Sequence, residues 1–160
     1  MSHRIVYLSV LCLMGLGCNH RAEDVRSIVR EELSKATERK FISPTQTIGP
    51  YSPAVQVGNI LFLSGQIGID QSTGQLRSED IETETRQVLD NVNTILLAAG
   101  YDSSHVVSAT VYLKNMDDYG KMNRVYGGYF TEGSYPARTT VAVSDLPKQA
   151  NVEIAVIAYK

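Results

Sequence analysis

The hydrophobic positions change period along this chain, and each change marks an element. Residues 5–17 form a largely apolar run. Over residues 19–40 the apolar positions thin to Val25, Ile28, Val29, Leu33 and Ala36 among charges, the spacing of a helix with one narrow apolar stripe. Glu31 and Lys35 form a favourable i,i+4 pair on it. Such a helix reads as a solvated spacer or as a short coiled coil, for which so brief a stripe is marginal. The folded domain is expected to begin near Phe41, with Ile48-Gly49-Pro50-Tyr51-Ser52-Pro53 as a stiff, extended lead-in. Residues 55–57 and 60–64 then flank Gly58-Asn59, a hairpin signal. Ser64-Gly65-Gln66 closes the second strand, and Ser72-Thr73-Gly74 predicts a further turn.

A long helix follows, with Asp80 as its N-cap and Gly100 just past its end. Its apolar face is Ile81, Val88, Leu89, Val92, Ile95, Leu96 and Ala99. Residues 106–113 are a β-branched strand. Asp117 is expected to cap a second helix whose Tyr119, Met122, Val125, Tyr126, Tyr129 and Phe130 face inward, with Tyr126, Tyr129 and Phe130 read as core and not as binding surface. Two strands close the chain, 139–143 and 152–158, separated by a loop containing Pro147. The order β-β-α-β-α-β-β defines an α+β domain with two helices on one face of a mixed sheet. The other face also needs cover, which points to an oligomer.

Composition narrows the function. With 15 Lys and Arg against 17 Asp and Glu, the formal net charge of -2 argues against a nucleic-acid partner, since no basic excess is available to neutralise phosphates. Histidines stand apart at 3, 20 and 105, so no metal-ligand spacing arises, and His105 reads as a surface residue. Both cysteines, Cys12 and Cys18, precede the domain. Arg4, the apolar run and the small residues before Cys18 read as an export signal over 1–18. A cysteine closing such a segment resembles a bacterial lipoprotein signal, in which Cys18 becomes the lipidated first residue and anchors the protein to a membrane. Leu16 stands one place nearer the cysteine than that pattern prefers; an ordinary signal or a misplaced start, which would leave the protein cytoplasmic, is the alternative. The organisation is then a signal at 1–18, a charged helical spacer at 19–40 and one domain at 41–160.

Two residues carry candidate chemistry. Tyr135-Pro136-Ala137-Arg138 sets an arginine at the mouth of a strand, and Glu153 is a lone carboxylate inside a later apolar strand. Burying a carboxylate without a partner costs several kcal/mol, so it implies a paired cation, a ligand or a reaction. The guanidinium offers a rigid fork that suits a small carboxylate. Together they suggest a pocket for a small carboxylic acid with an acid/base group beside it. The plainer alternative is a structural salt bridge between the two.

Gly49-Pro50-Tyr51-Ser52, Ser64-Gly65-Gln66, Asp90-Asn91-Val92, Asn123, Tyr135-Pro136-Ala137-Arg138, Leu146-Pro147 and Val152-Glu153-Ile154 occur in one order and spacing. As a set they resemble the reactive intermediate deaminase family (the RidA, or YjgF, family) over residues 41–160. The resemblance implies a chorismate-mutase-like fold and a homotrimer whose sheets pack around a central barrel, with three clefts between subunits. It implies hydrolysis of 2-enamine and 2-imine acids to 2-keto acids and ammonia, with no cofactor. The matching functional positions are Arg138, Glu153, Tyr51, Ser64 and Asn123, with the main chain at Thr140. Thr140 and Ala155 depart from the family, which often has cysteine and a second acid there. An export signal is also unusual beside enamine-releasing enzymes expected in the cytosol. In this reading Arg138 holds the substrate carboxylate, Glu153 orients water and relays protons, and Tyr51 donates a hydrogen bond or closes the pocket. Ser64 and Asn123 could instead merely finish a strand and bond within a helix. A trimeric carboxylate-binding protein without turnover is the competing function, and RNA cleavage is disfavoured by the charge balance.

Overall fold

A computed structural model of the chain describes residues 18–160. The apolar run ending at Gly17 lies outside the described residues, and so does the side chain of Cys18, the expected lipidation site. The chain falls into two compact units that divide between Lys35 and Ala36. Helix α1 (Cys18–Thr37) carries Val25, Ile28, Val29 and Leu33 as an exposed stripe, with Lys35 paired to Glu31 at 2.7 Å. Among the described residues, no helix is long and apolar enough to cross a membrane.

The second unit is built on a six-stranded sheet. Its strands are β1 (Arg39–Ile42), β2 (Ala54–Val57), β3 (Ile60–Ile67), β4 (Val106–Leu113), β5 (Ala137–Ala142) and β6 (Val152–Tyr159), ordered β1-β2-β3-β6-β4-β5. Only β4 and β5 run parallel; the remaining pairs are antiparallel. Helices α2 (Ile81–Ala98) and α3 (Tyr119–Tyr129) pack on one face, giving the expected α+β architecture. Central strand β6 shows why: Val152, Ile154, Val156 and Ala158 are buried in the helix-covered core, while Glu153, Ala155, Ile157 and Tyr159 alternate onto the opposite face. Each fully buried Leu, Ile or Val contributes about 1.5–3 kcal/mol, most of it offset by lost chain entropy.

Helix α2 begins where Asp80 accepts hydrogen bonds from the Thr83 backbone and hydroxyl, at 2.8 and 2.9 Å. It ends before Gly100, whose φ of 78° suits the residue after a helix C-cap. The hairpin turns at Gly58 (φ 55°) as its sequence predicts. Three details differ from expectation. Residues 39–42, which the sequence pattern divides between the end of the charged helix and the domain start, form an additional edge strand paired with β2. Asp117 caps nothing; Asn115 accepts its backbone N–H at 3.0 Å and starts a short 3₁₀ turn that leads into α3. Tyr119, expected to face inward, is 38% exposed.

The face without helices carries an apolar row. Phe41 pairs across to Val55, then Phe62, then Ile157, and Phe41, Phe62 and Ile157 are all exposed. A second, smaller cluster covers one end of this face, where Ile67, Leu146 and Ala150 pack with Tyr112 and Val143.

Candidate active site in two halves

Glu153 is held by an arrangement that reaches back to α2. The Glu84 carboxylate, fully buried, accepts the Asn151 backbone N–H and side-chain amide, each at 2.8 Å. This anchors the chain one residue before β6 starts. Asn91, also buried, donates to the carbonyls of Ile67 and Ile69 at 3.0 and 2.8 Å, and its own carbonyl accepts from Gln87 at 3.0 Å. Thus one helix fixes both strands between which Glu153 emerges.

Strand β3 contains a bulge there: Leu63 pairs with Val156, but Gln66 pairs with Ile154, leaving one extra residue in the Ser64-Gly65 segment. The Glu153 side chain lies over Gly65, in the space a side chain would occupy: a Cβ at that position would stand 2.6 Å from Glu153 Cδ. Among the described residues Glu153 has no hydrogen-bond or ionic partner, and partial burial pushes its carboxyl above the usual range. Ser64 does more than finish a strand. Its hydroxyl donates to the Ser52 carbonyl at 2.7 Å and its N–H to Pro53 at 3.0 Å, which fastens the Gly49–Pro53 lead-in across β3. Tyr51 thereby stands on the rim of a cavity of about 200 Å³ lined also by Ser64, Gly65, Pro147 and Glu153.

Arg138 builds a second, separate cavity. It lies on β5, the edge strand, and reaches toward α3. Its Nη2 donates to the Tyr119 hydroxyl at 3.2 Å, and its guanidinium carbon stands 4.4 Å from the Tyr126 ring centroid. Among the described residues it makes no ion pair. Asn123, Tyr126, Tyr135, Pro136 and Arg138 line a cavity of about 380 Å³. Asn123 is exposed and makes no side-chain hydrogen bond within its helix. Among the described residues the buried Tyr126 and Thr140 hydroxyls have no hydrogen-bond partner. Burial pushes the Tyr126 hydroxyl up to about 12, with Arg138 pulling the other way.

The register separates the two halves. Arg138 is paired with Ala109 and through it with Val156, both in the core under the helices. Glu153 is paired with Tyr112 and through it with Val141, on the opposite face. Within one chain, therefore, Arg138 and Glu153 form neither the single pocket nor the salt bridge expected from sequence. Tyr51 and Ser64 fall with Glu153, whereas Asn123 and Thr140 fall with Arg138. Sequence reasoning missed Glu84 and the anchoring role of Asn91. Their signal was present: both positions continue the 81, 88, 92, 95 stripe of α2 with polar residues. Among the described residues no cluster of three His, Cys, Asp or Glu could hold a metal ion.

The family profile described as Endoribonuclease L-PSP matches residues 41–160. A fold of this topology and a profile match of this extent define the class: the chain belongs to that family, the RidA/YjgF family. The 2-iminobutanoate/2-iminopropanoate deaminase of Mus musculus is 47% identical over 125 residues, covering 76% of this chain and 92% of the mouse protein. A RutC family protein of Pyrococcus horikoshii is 56% identical over 113 residues, covering 71% of this chain and 89% of that one. Among solved structures, the YjgF gene product of E. coli superposes with a TM-score of 0.72 at 38% identity, covering 76% of this chain and 98% of that chain.

Proposed function

We propose that the protein hydrolyses small 2-imino acids and their enamine tautomers to 2-keto acids and ammonia, at sites assembled between copies of the chain. The observation that carries this reading is the pair of half-sites: a guanidinium and a carboxylate, each beside its own cavity, each without a charged partner among the described residues, on opposite faces of one sheet. A ring of three copies, as the family resemblance implies, would bring the Arg138 half of one to the Glu153 half of the next through a heterologous contact. The similarity to the mouse imino acid deaminase supports the reaction class.

Arg138 holds the substrate carboxylate through two parallel N–H donors and so fixes the neighbouring C=N carbon. Glu153 takes a proton from water as the oxygen bonds to that carbon, and the proton passes to the nitrogen. Glu153 then carries the carbinolamine's hydroxyl proton to the nitrogen as the C–N bond breaks, releasing ammonia and leaving the 2-keto acid. Partial burial raises the Glu153 carboxyl above its ordinary range, the direction that makes it a stronger proton acceptor. Tyr51 closes the rim, and Asn123 with the Thr140 main chain completes the Arg138 half. The excess of acidic residues disfavours RNA as substrate.

Mixing tests the assembly and the chemistry together. Arg138→Ala and Glu153→Ala should each be inactive on 2-iminopropanoate generated in solution. After joint unfolding and refolding at equal amounts, about a quarter of the sites combine an intact arginine with an intact glutamate, so activity should return to about that level. No recovery from two correctly assembled variants overturns the intersubunit site. Binding of 2-keto acids by wild type without any turnover favours the binding-protein reading. Membrane attachment through Cys18 is a separate proposal from residues 1–18, which precede the matched region. Soluble protein carrying an intact Met1 by mass spectrometry overturns it.

A further inference from the structure

We propose that Tyr119 and Tyr126 form an aromatic cradle that fixes the guanidinium of Arg138 and thereby sets substrate affinity; the inference rests on the assignment of Arg138 to the substrate carboxylate. Tyr119, Asn123 and Tyr126 follow one another at spacings of four and three residues on α3, so they share one face of that helix. That face meets Arg138. The guanidinium carbon lies 4.4 Å from the Tyr126 centroid and 5.8 Å from that of Tyr119, both within cation–π range. The Tyr119 hydroxyl accepts from Nη2 at 3.2 Å.

An arginine on an edge strand ordinarily samples many rotamers, and a two-point grip on a carboxylate requires one guanidinium plane. Among the described residues no acidic side chain supplies that restraint. The rings do so without occupying the fork: Tyr126 covers one face, and Tyr119 takes one of five N–H donors. Four donors remain for a ligand. Aromatic faces restrain the cation while leaving its charge uncompensated, which an aspartate in the same place would not do. Tyr119 and Tyr126 are thus positioning residues that act through Arg138.

The test measures inhibition by 2-ketobutyrate and steady-state hydrolysis of 2-iminopropanoate for Tyr119→Phe, Tyr126→Phe and Tyr126→Leu, each alone and combined with Arg138→Lys. Tyr119→Phe, which loses one hydrogen bond, should weaken 2-ketobutyrate and raise KM by about 3- to 10-fold with kcat little changed. Tyr126→Leu should do so by about 10-fold or more, and Tyr126→Phe, which keeps the ring, should restore near wild-type values. In the Arg138→Lys background neither tyrosine change should add to the loss. Full additivity there, or an unchanged KM in Tyr119→Phe, overturns the cradle. If Arg138→Lys alone leaves 2-ketobutyrate binding intact, the assignment of Arg138 itself has failed, a distinct outcome. Tyr119→Phe keeps the test decisive should Tyr126→Leu fail to fold.

Discussion

Gly65 touches no substrate in the proposed reaction, yet replacing it should disable the site. A Cβ at residue 65 would stand 2.6 Å from Glu153 Cδ and 2.9 Å from Cγ, against ordinary carbon contacts of about 3.5–4.0 Å. Glu153 Oε1 stands closer still, so in Gly65→Ala the carboxyl must move by at least about 1 Å, a displacement that can cost about 100-fold in turnover. Stability should change far less. Gly65 is not among the glycines with positive φ, so alanine meets no backbone strain. The crowding falls on the end of a flexible side chain, and alanine also reduces the freedom of the unfolded chain, which leaves a net change of about 1 kcal/mol or less. Binding of a 2-keto acid should be mostly kept, because Arg138 holds that group. The assay is steady-state hydrolysis of 2-iminopropanoate alongside 2-ketobutyrate binding, thermal melting and light scattering on the same preparation. Turnover within about threefold of wild type, at unchanged Tm and mass, would refute the placement of Glu153 as the proton-handling group.

Three further outcomes follow from the same geometry. Because burial raises the folded-state pKa of Glu153 above its ordinary 4.5, the folded chain loses stability as pH rises through that raised value and the group ionises; Glu153→Gln should raise Tm at pH 7–8, with the gain vanishing below about pH 4. A loss of Tm at neutral pH would instead show that Arg138 of the next copy, which the proposed assembly brings toward Glu153, pairs with it strongly enough to outweigh the desolvation. Glu84→Gln replaces one of two acceptors facing Asn151 by a donor, so about 2–3 kcal/mol of stability and about 10 °C in Tm should be lost in thermal melts. An unchanged Tm would show that Glu84 is not needed to anchor β6. Residues 41–160 should scatter light with three times the monomer mass, and a monodisperse monomer at micromolar concentration would contradict the proposed site.

What the sequence discloses depends on whether the cause is local. Helix α2 is readable from Asp80 to Gly100 because its cap, its stripe and its stop are all written in neighbouring residues. The hairpin at Gly58-Asn59 and the β-branched strand β4 are readable for the same reason. Strand β1 is not, since Arg39 and Lys40 look like helix surface and become strand only by pairing with β2; lysine is also what sheet edges commonly carry. Asn115 displaced Asp117 as the cap because a 3₁₀ turn precedes α3, and either residue fits the cap preference. That Arg138 and Glu153 are unusual could be read from their surroundings in sequence. That they leave opposite faces could not, because the answer runs through the register of β4, which pairs with both strands. Glu84 was legible in principle: a carboxylate on the apolar stripe of a helix demands a donor, though nothing in the sequence says that the donor is Asn151.

The extra residue in β3 also decides which layer of the protein each end of that strand serves. Before the bulge, Leu61 and Leu63 point under the helices; after it, odd-numbered Ile67 points the other way and joins Leu146 and Ala150. One inserted residue thus reverses the parity of the strand, and a single β-strand contributes to two cores on opposite sides of its own sheet. Deleting one residue at 64–65 would restore strict alternation and turn Ile67 inward, stripping the smaller core of a principal member. That core secures the loop that delivers the chain to Asn151. A change at one end of β3 would therefore be felt at the start of β6, in a segment 80 or more positions along the chain.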